Sequence, residues 1–454
     1  MFEHCRNVVI KVTRDCNLRC KYCYVADKDK YKGERMSFDV FKQLINRIVE
    51  DKIKNSFIGE DHRFHIVFHG GEPTLLGYDT LNLFLSYARD MFKNNGLVVD
   101  IGIQTNTTLL TDDLLRLFKE FNVNVGTSFD GLSSSNKART STSEKHYIDL
   151  YKKMDSMGVE YGNISVVNPV NIDHSIKNLK YFNKTQLYTK FNYAEDVFNL
   201  GGCEVSGEEF LEKVTKPFLQ KYIKWAKLGC GDFLDYVTNS IVENFVRQQI
   251  VGKKSYRKAK NTKGICSVEF CGSGCYVLEV SPDGIVNACG RYSDDRDYCY
   301  LGTIWDEDFL GLQKRIKFYG LINEKNKAIN DKKCDLCPAS GICDFGCMAF
   351  HYEKYKKWGI RKDLVCDFYK PLFNYLCSIE PQIIRAYIMR HMKYVNDRWS
   401  FYIPSGSEIT DKILQDINKY LRKCNLQKDF IAMKDEDWKS EDKKCYQIKI
   451  VQGK

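Results

Sequence analysis

No stretch of the 454-residue chain approaches the ~20 consecutive apolar residues that a membrane-spanning helix needs. Its start, MFEHCRNVVIKV, lacks the basic segment, apolar stretch and cleavage site of a secretory signal. No membrane partner is therefore expected, and the cytoplasm is the expected compartment. Also missing is the polar bias of a disordered chain, because 43% of residues are hydrophobic and 13% aromatic. The length exceeds what one small core organises and implies two or three domains. Excess negative charge is absent too: 69 Lys and Arg against 59 Asp and Glu leave +10. Lysine is spread along most of the chain, and the densest basic stretch, KKSYRKAKNTK at 253–263, reads as a solvated linker. No nucleic-acid partner is expected.

What the chain does have is cysteine, nineteen in all. In a reducing compartment that number argues for metal or redox work against a disulfide scaffold. The tightest group, RDCNLRCKYCY, holds Cys16, Cys20 and Cys23 and no fourth cysteine. A disulfide would leave one thiol over. Structural zinc is normally closed by four ligands, whereas three thiolates converging on one point leave a metal position open.

Residues 8–230 alternate β-rich runs with amphipathic helical stretches. NVVIKV, FHIVFHG, VVDIGIQTN, VNVGTSFDG, NISVVNPV and KFNYAED read as strands. SFDVFKQLINRIVE, DTLNLFLSYARDMFKNN and TDDLLRLFKEF read as helices, and Ser206 with Glu209 has the spacing of a capping box. Six β/α units in succession predict an α/β fold with a parallel sheet, either a partial (β/α)6 TIM-like barrel or an open doubly wound sheet. In both, ligands gather at the carboxyl ends of the strands. The cysteine triplet follows the first strand, HGGEP ends the second, QTN the third and SFDG the fourth, so all four face one mouth. Gly70 and Gly71 would let a ligand approach their backbone, and Glu72 could hold an ammonium group.

The CxxxCxxC triplet with Tyr22 before its last cysteine, together with GGEP, resembles the radical S-adenosylmethionine (SAM) enzymes over residues 8 to about 200. That resemblance implies the partial barrel and a [4Fe-4S] cluster on Cys16, Cys20 and Cys23 whose fourth iron is chelated by SAM. It further implies that Gly70, Gly71 and Glu72 bind the SAM amino group, that Tyr22 flanks the adenine, and that Asn106 and Ser128 contact the ribose or carboxylate. Arg139 is a candidate carboxylate partner, with a surface arginine as the alternative, since GLSSSNKAR lacks the His-Asp common there in relatives.

From residue 266 the composition shifts. Cys271, twelve residues, Gly284, four residues and Cys289, then CDLCPASGICDFGC and Cys366, are similar to the auxiliary-cluster domain called SPASM. Its interleaved ligation implies one [4Fe-4S] cluster on Cys271, Cys275, Cys289 and Cys347 and another on Cys334, Cys337, Cys343 and Cys366. Cys266 is the alternative to Cys275, and structural zinc is the alternative metal, because CxxC spacing alone does not tell the two apart. Cys5, Cys203, Cys230, Cys266, Cys299, Cys377, Cys424 and Cys445 remain as packing or surface thiols, Cys203 lying near the mouth. The expected division is a barrel at 1–230, a helical and basic linker at 231–265, an auxiliary-cluster domain at 266–375 and a small α+β C-terminal extension at 376–454. In the extension RWSFYIP and CYQIKIVQ read as strands and SEITDKILQDINKYLRK as a helix.

Relatives with this layout mostly cross-link ribosomally made precursor peptides, so the expected activity is a radical SAM peptide maturase forming a thioether or carbon-carbon bond. An external electron donor of flavodoxin or ferredoxin type is then implied. With the first cluster motif so early, no leader-binding domain is expected before the barrel, and a separate leader-binding protein could supply that function. One related branch oxidises a Cys or Ser of sulfatases to formylglycine, using an aspartate directly after the cysteine matching Cys289. Here that position is Gly290, which accepts no proton. Small-molecule dehydrogenation on the same scaffold is a further alternative.

Overall fold

The computed structural model describes residues 5, 7–23, 29–54, 63–194, 203–229, 233–251, 273–274, 277–290, 299–307, 334–343, 347, 351, 362–394, 399–404, 415, 418–419, 421–423, 430–434 and 445–452. Alternation of apolar side chains produces the strands where it is read in the sequence. In β1 (Asn7–Thr13) Val8, Ile10 and Val12 are wholly buried. β2 (Arg63–Gly70), β3 (Val98–Thr105), β4 (Val123–Ser128), β5 (Tyr161–Val167) and β6 (Thr189–Tyr193) follow, each ending within a few residues of its expected position.

Helices α1 (Phe38–Lys54), α2 (Gly77–Asn94), α3 (Asp112–Glu120), α4 (Ser133–Asn136), α5 (Glu144–Met157) and α6 (Ser175–Lys184) lie between the strands. At α3 the Thr111 hydroxyl accepts the Leu114 N–H at 3.3 Å, and Asp112 and Asp113 occupy the positive end of the helix. The helices bury aromatic rings against the sheet: Phe41 of α1 stacks on Phe84 of α2 at 4.1 Å and lies 5.8 Å from Phe68 of β2. Phe129, just past β4, stacks on Tyr147 of α5 at 4.2 Å.

β1 to β6 stand side by side in chain order, each parallel to the next. A doubly wound sheet would reverse its order part-way, so the sequential order selects the barrel-type wall. The wall does not stop at β1. β7 (Val277–Val280) pairs parallel to it, Val9 opposite Glu279, and β8 (Ile285–Asn287) and β9 (Tyr300–Thr303) add antiparallel strands to make nine. Residues expected to begin a separate domain thus extend the barrel sheet, satisfying the edge that β1 would otherwise expose.

The chain divides into two compact units that do not follow the expected boundaries. One contains Met1–Val205, Lys263–Lys332 and Cys347–Arg361; the other contains Ser206–Thr262, Lys333–Gly346 and Lys362–Lys454. In the second, Ser206 accepts the Glu209 N–H at 3.0 Å, as its capping-box spacing predicts, and opens α7 (Gly207–Phe210). The chain continues through a π-helical turn into α8 (Lys216–Lys227), followed by α9 (Tyr236–Val251), α10 (Lys362–Ser378) and α11 (Glu380–Tyr394). Arg390 of α11 lies over the Tyr222 ring of α8 at 4.6 Å. β10 (Trp399–Pro404), β12 (Cys445–Gln452) and β11 (Phe430–Lys434) form an antiparallel sheet in that order. β10 and β12 coincide with the two predicted strands, β11 was not anticipated, and the predicted helix falls mostly outside the described residues. Among the described residues no helix is long and apolar enough to cross a membrane.

Lys11 of β1 and Glu279 of β7 form a buried ion pair at 3.8 Å, with Asn287 and Ser281 donating to the carboxylate at 2.7 and 3.1 Å. Replacing Glu279 alone by Leu removes the carboxylate facing a buried ammonium and is expected to cost about 3–5 kcal/mol. Lys11→Met with Glu279→Leu should cost markedly less, both read from urea denaturation midpoints; equal losses would show that the charges do not act as a pair.

Candidate active site at the carboxyl ends of the barrel strands

The loop carrying the three cysteines is fastened to the end of β2 through backbone. Gly71 N–H donates to the Thr13 carbonyl and Glu72 N–H to the Asp15 carbonyl, both at 2.8 Å. A β-carbon on Gly70 would lie 1.8 Å from the Thr13 oxygen, and one on Gly71 would lie 1.9 Å from the Asp15 oxygen. Gly70 also takes φ +132°, a conformation that side-chain-bearing residues rarely adopt. The two glycines were expected to admit a ligand. What they demonstrably admit is the root of the cysteine loop itself.

Glu72, expected to hold the SAM amino group, is also braced within the fold. It is 1% exposed, and its carboxylate accepts from Thr74 N–H at 3.1 Å, the Thr74 hydroxyl at 2.6 Å, the Thr105 hydroxyl at 2.7 Å and Asn106 N–H at 2.6 Å. The carboxylate thereby joins the end of β2 to the end of β3. Asn106 continues the chain of contacts, donating to Asn17 Oδ1 at 2.8 Å and to Cys16 Sγ at 3.8 Å. Beside it Thr107 holds φ +69°, unusual for a β-branched residue, and its N–H donates to Thr105 Oγ1 at 2.9 Å. Ser128, at the end of β4, accepts from Gln104 Nε2 at 2.9 Å.

On the other flank the half-buried Tyr22 donates its hydroxyl to Asp130, and Asp130 lies 3.5 Å from Arg139 Nε. The Arg139 side chain is 8% exposed, which removes the surface-arginine alternative. Asp130 is fully buried and escaped the sequence reading. The available signal was its place in SFDG, an acid in a βα loop between apolar neighbours. Cys203 does lie beside the mouth, its thiol donating to the Lys21 carbonyl at 3.1 Å.

Of the cysteines, Cys16 is buried, while Cys20 and Cys23 are partly exposed in the same loop. Among the described residues no three His, Cys, Asp or Glu side chains group closely enough to hold a single metal ion, so the convergence on one point read from the spacing is not seen. A cubane asks for something else, because each thiolate binds its own iron and accepts amide hydrogen bonds. Cys16 Sγ has such donors, Leu18 N–H at 3.4 Å and the Asn106 amide. The donor set fits an iron-sulfur cluster.

Cys271 and Cys275 lie outside the described residues. Cys289 and Cys347 belong to the first compact unit, and Cys334, Cys337, Cys343 and Cys366 to the second. The short stretch CDLCPASGICDFGC is therefore divided before its last cysteine. A β-carbon on Gly290 would lie 3.6 Å from the Glu279 side chain, so an aspartate there would bring a second carboxylate against a buried one.

The Radical SAM superfamily model matches residues 10–181, the span that builds this mouth. Residues 10–181 are a radical SAM domain. The chain is 27% identical over 376 residues to the cysteine-type anaerobic sulfatase-maturating enzyme of Clostridium novyi (strain NT), covering 79% of this chain and 92% of that one. It is 24% identical over 414 residues to the radical SAM cyclopropyl synthase TigE of Paramaledivibacter caminithermalis, covering 84% and 76%. Its fold is similar to that of native anSMEcpe solved with bound AdoMet and Kp18Cys peptide, with a TM-score of 0.67 at 22% identity over 84% of this chain and 98% of that one.

Burial holds the Glu72 carboxyl above its ordinary range despite the hydrogen bonds from Thr74, Asn106 and Thr105. The folded state thus binds this proton more tightly than the unfolded chain. Its contribution to stability is complete below the ordinary carboxyl pKa and is lost as pH rises through the folded value. Glu72→Gln should flatten that part of the stability profile above about pH 4.3, measured by urea denaturation at stepped pH. An unchanged slope would mean that the carboxylate is not desolvated as described.

Proposed function

We propose that this radical SAM protein is a peptide maturase that installs an intramolecular cross-link, a thioether or carbon-carbon bond, in a ribosomally made precursor. The carrying observation is the mouth itself, in which a CxxxCxxC loop and a GGEP segment are joined backbone to backbone within a radical SAM domain. Cys16, Cys20 and Cys23 would hold a [4Fe-4S] cluster that, with SAM and an electron, supplies a 5'-deoxyadenosyl radical able to take hydrogen from an unactivated carbon. Around it Gly70, Gly71, Glu72, Asn106, Ser128 and Arg139 are assigned to binding SAM and Tyr22 to flanking its adenine, with Glu72 also bracing the loops that present them. A flavodoxin or ferredoxin type donor supplies the electron, and a separate protein could recognise a leader.

Two auxiliary [4Fe-4S] clusters complete the reading, on Cys271, Cys275, Cys289 and Cys347 and on Cys334, Cys337, Cys343 and Cys366. In support, the described members of each set fall within one compact unit, although they interleave in sequence. A peptide substrate is supported by the similarity to anSMEcpe, whose structure holds a peptide. Gly290 favours cross-linking over formylglycine formation, because it supplies no base. Formylglycine formation stands as the second reading, since the alignment covers 92% of a sulfatase-maturating enzyme.

The anaerobically reconstituted protein is expected to carry about twelve irons, and the Cys16→Ala, Cys20→Ala, Cys23→Ala variant to keep about two-thirds of them while losing all SAM cleavage. Release of 5'-deoxyadenosine by that variant would refute the assignment.

A cross-linked peptide should lose about 2 Da per bond, resist fragmentation between the joined residues and ignore a hydrazide. A hydrazide-reactive aldehyde formed on a sulfatase-motif peptide, with no activity on precursor peptides, would establish the second reading instead.

A further inference from the structure

Asp130 is 0% exposed, and its carboxylate is fixed from three sides. One oxygen accepts the Val166 N–H of β5 at 2.9 Å; the other accepts the Tyr22 hydroxyl and faces Arg139 Nε. Its backbone is held as firmly, with the N–H donating to Asn136 Oδ1 at 3.3 Å and the carbonyl accepting from Asn178 Nδ2 at 3.1 Å. The carboxylate has no freedom to follow its partners, so they are located by it.

Those partners sit on the two segments that meet at the cysteine loop. Tyr22 stands between Cys20 and Cys23. Lys21 N–H donates to the Ala138 carbonyl at 2.9 Å, and Cys20 Sγ lies 3.8 Å from the Arg139 carbonyl. The Arg139 guanidinium is 5.5 Å from the centre of the Tyr22 ring, and among the described residues its buried Nε has no hydrogen-bond partner. Asp130 therefore holds it through charge. Burial works against that cation, and the fixed Asp130 carboxylate beside it offsets the cost. It remains charged at any working pH.

Resting on the assignment of Cys16, Cys20 and Cys23 to the first cluster, we infer that Asp130 is a positioning residue that fixes Tyr22 and Arg139 and so sets the electrostatic environment in which that cluster is reduced. Reduction adds one negative charge to a cluster held by three thiolates. A neighbouring cation favours the change and a neighbouring carboxylate opposes it. Asp130 does both: it holds the cation in place and offsets part of its field. Removing either charge must then move the reduction equilibrium in opposite directions, an outcome that loosened packing does not produce.

The experiment is a redox titration of the reduced-cluster EPR signal without SAM, in full-length, anaerobically reconstituted protein. The first cluster is isolated by subtracting the signal of the Cys16→Ala, Cys20→Ala, Cys23→Ala variant. Asp130→Asn should ease reduction by about tenfold, a rise of ~59 mV for a one-electron couple, and Arg139→Gln should hinder it by about as much. The double variant should return close to wild type. Shifts of the same sign, or no shift, would overturn the inference. Should Asp130→Asn not fold, Arg139→Lys decides: a potential close to wild type while Arg139→Gln falls supports the charge, and equal shifts in both refute it. Wild-type protein with no signal dependent on the three cysteines would instead overturn the cluster assignment, and the inference with it.

Discussion

The close approach of residues 13–15 to Gly70 and Gly71 is the constraint on which the candidate site depends. Two carbonyls of the cysteine loop's root occupy the space that two β-carbons would fill. Because the Gly71 and Glu72 amides answer those carbonyls, the contact is a short continuation of the β1–β2 ladder beyond the last paired residues. Everything at the mouth is referred to that seam. Glu72 leaves it in the direction of β3, Asn106 returns from β3 to the cysteine loop, and Tyr22 carries the loop across to Asp130 after β4.

The site is thus braced by groups that do no chemistry themselves. A buried carboxylate with four donors costs less than an unpaired one, but it is rarely worth more than an apolar packing of the same volume. Its value here is direction: donors from two strand ends meet at one point only when both loops have their native course. The strained Thr107 belongs to the same arrangement, held by hydrogen bonds on both sides of its peptide.

How far this was readable in sequence depends on the range of the interaction. Six strands and the Ser206 cap of α7 follow from alternation and from local hydrogen bonding, and both were legible. The partners of Glu72 within the fold were not, since a carboxylate after Gly-Gly names neither Thr74, Thr105 nor Asn106. Asp130 was hidden because its partners come from positions 22, 139 and 166, and nothing in SFDG names them. β7 was missed for another reason. Four residues, VLEV, carry no period long enough to read, and only the open edge of β1 gives them a place. The ordering of the auxiliary cysteines was visible as spacing, while their division between two compact units needed the chain's contacts.

The pairing of β7 with β1 bears on how the protein is made. Between Thr13 and Val277 lie 263 residues, counted as 277 less 13 less 1. At a synthesis rate of about 5–20 residues per second, the first strand waits roughly 13–53 s for its outer neighbour. During that interval the Val8–Ile10 edge of the growing sheet is a hydrophobic ribbon with half its backbone donors unsatisfied, the form most prone to pair with another nascent chain. A pause before residue 280 would lengthen that interval, and a truncation there would leave the edge without its partner for good.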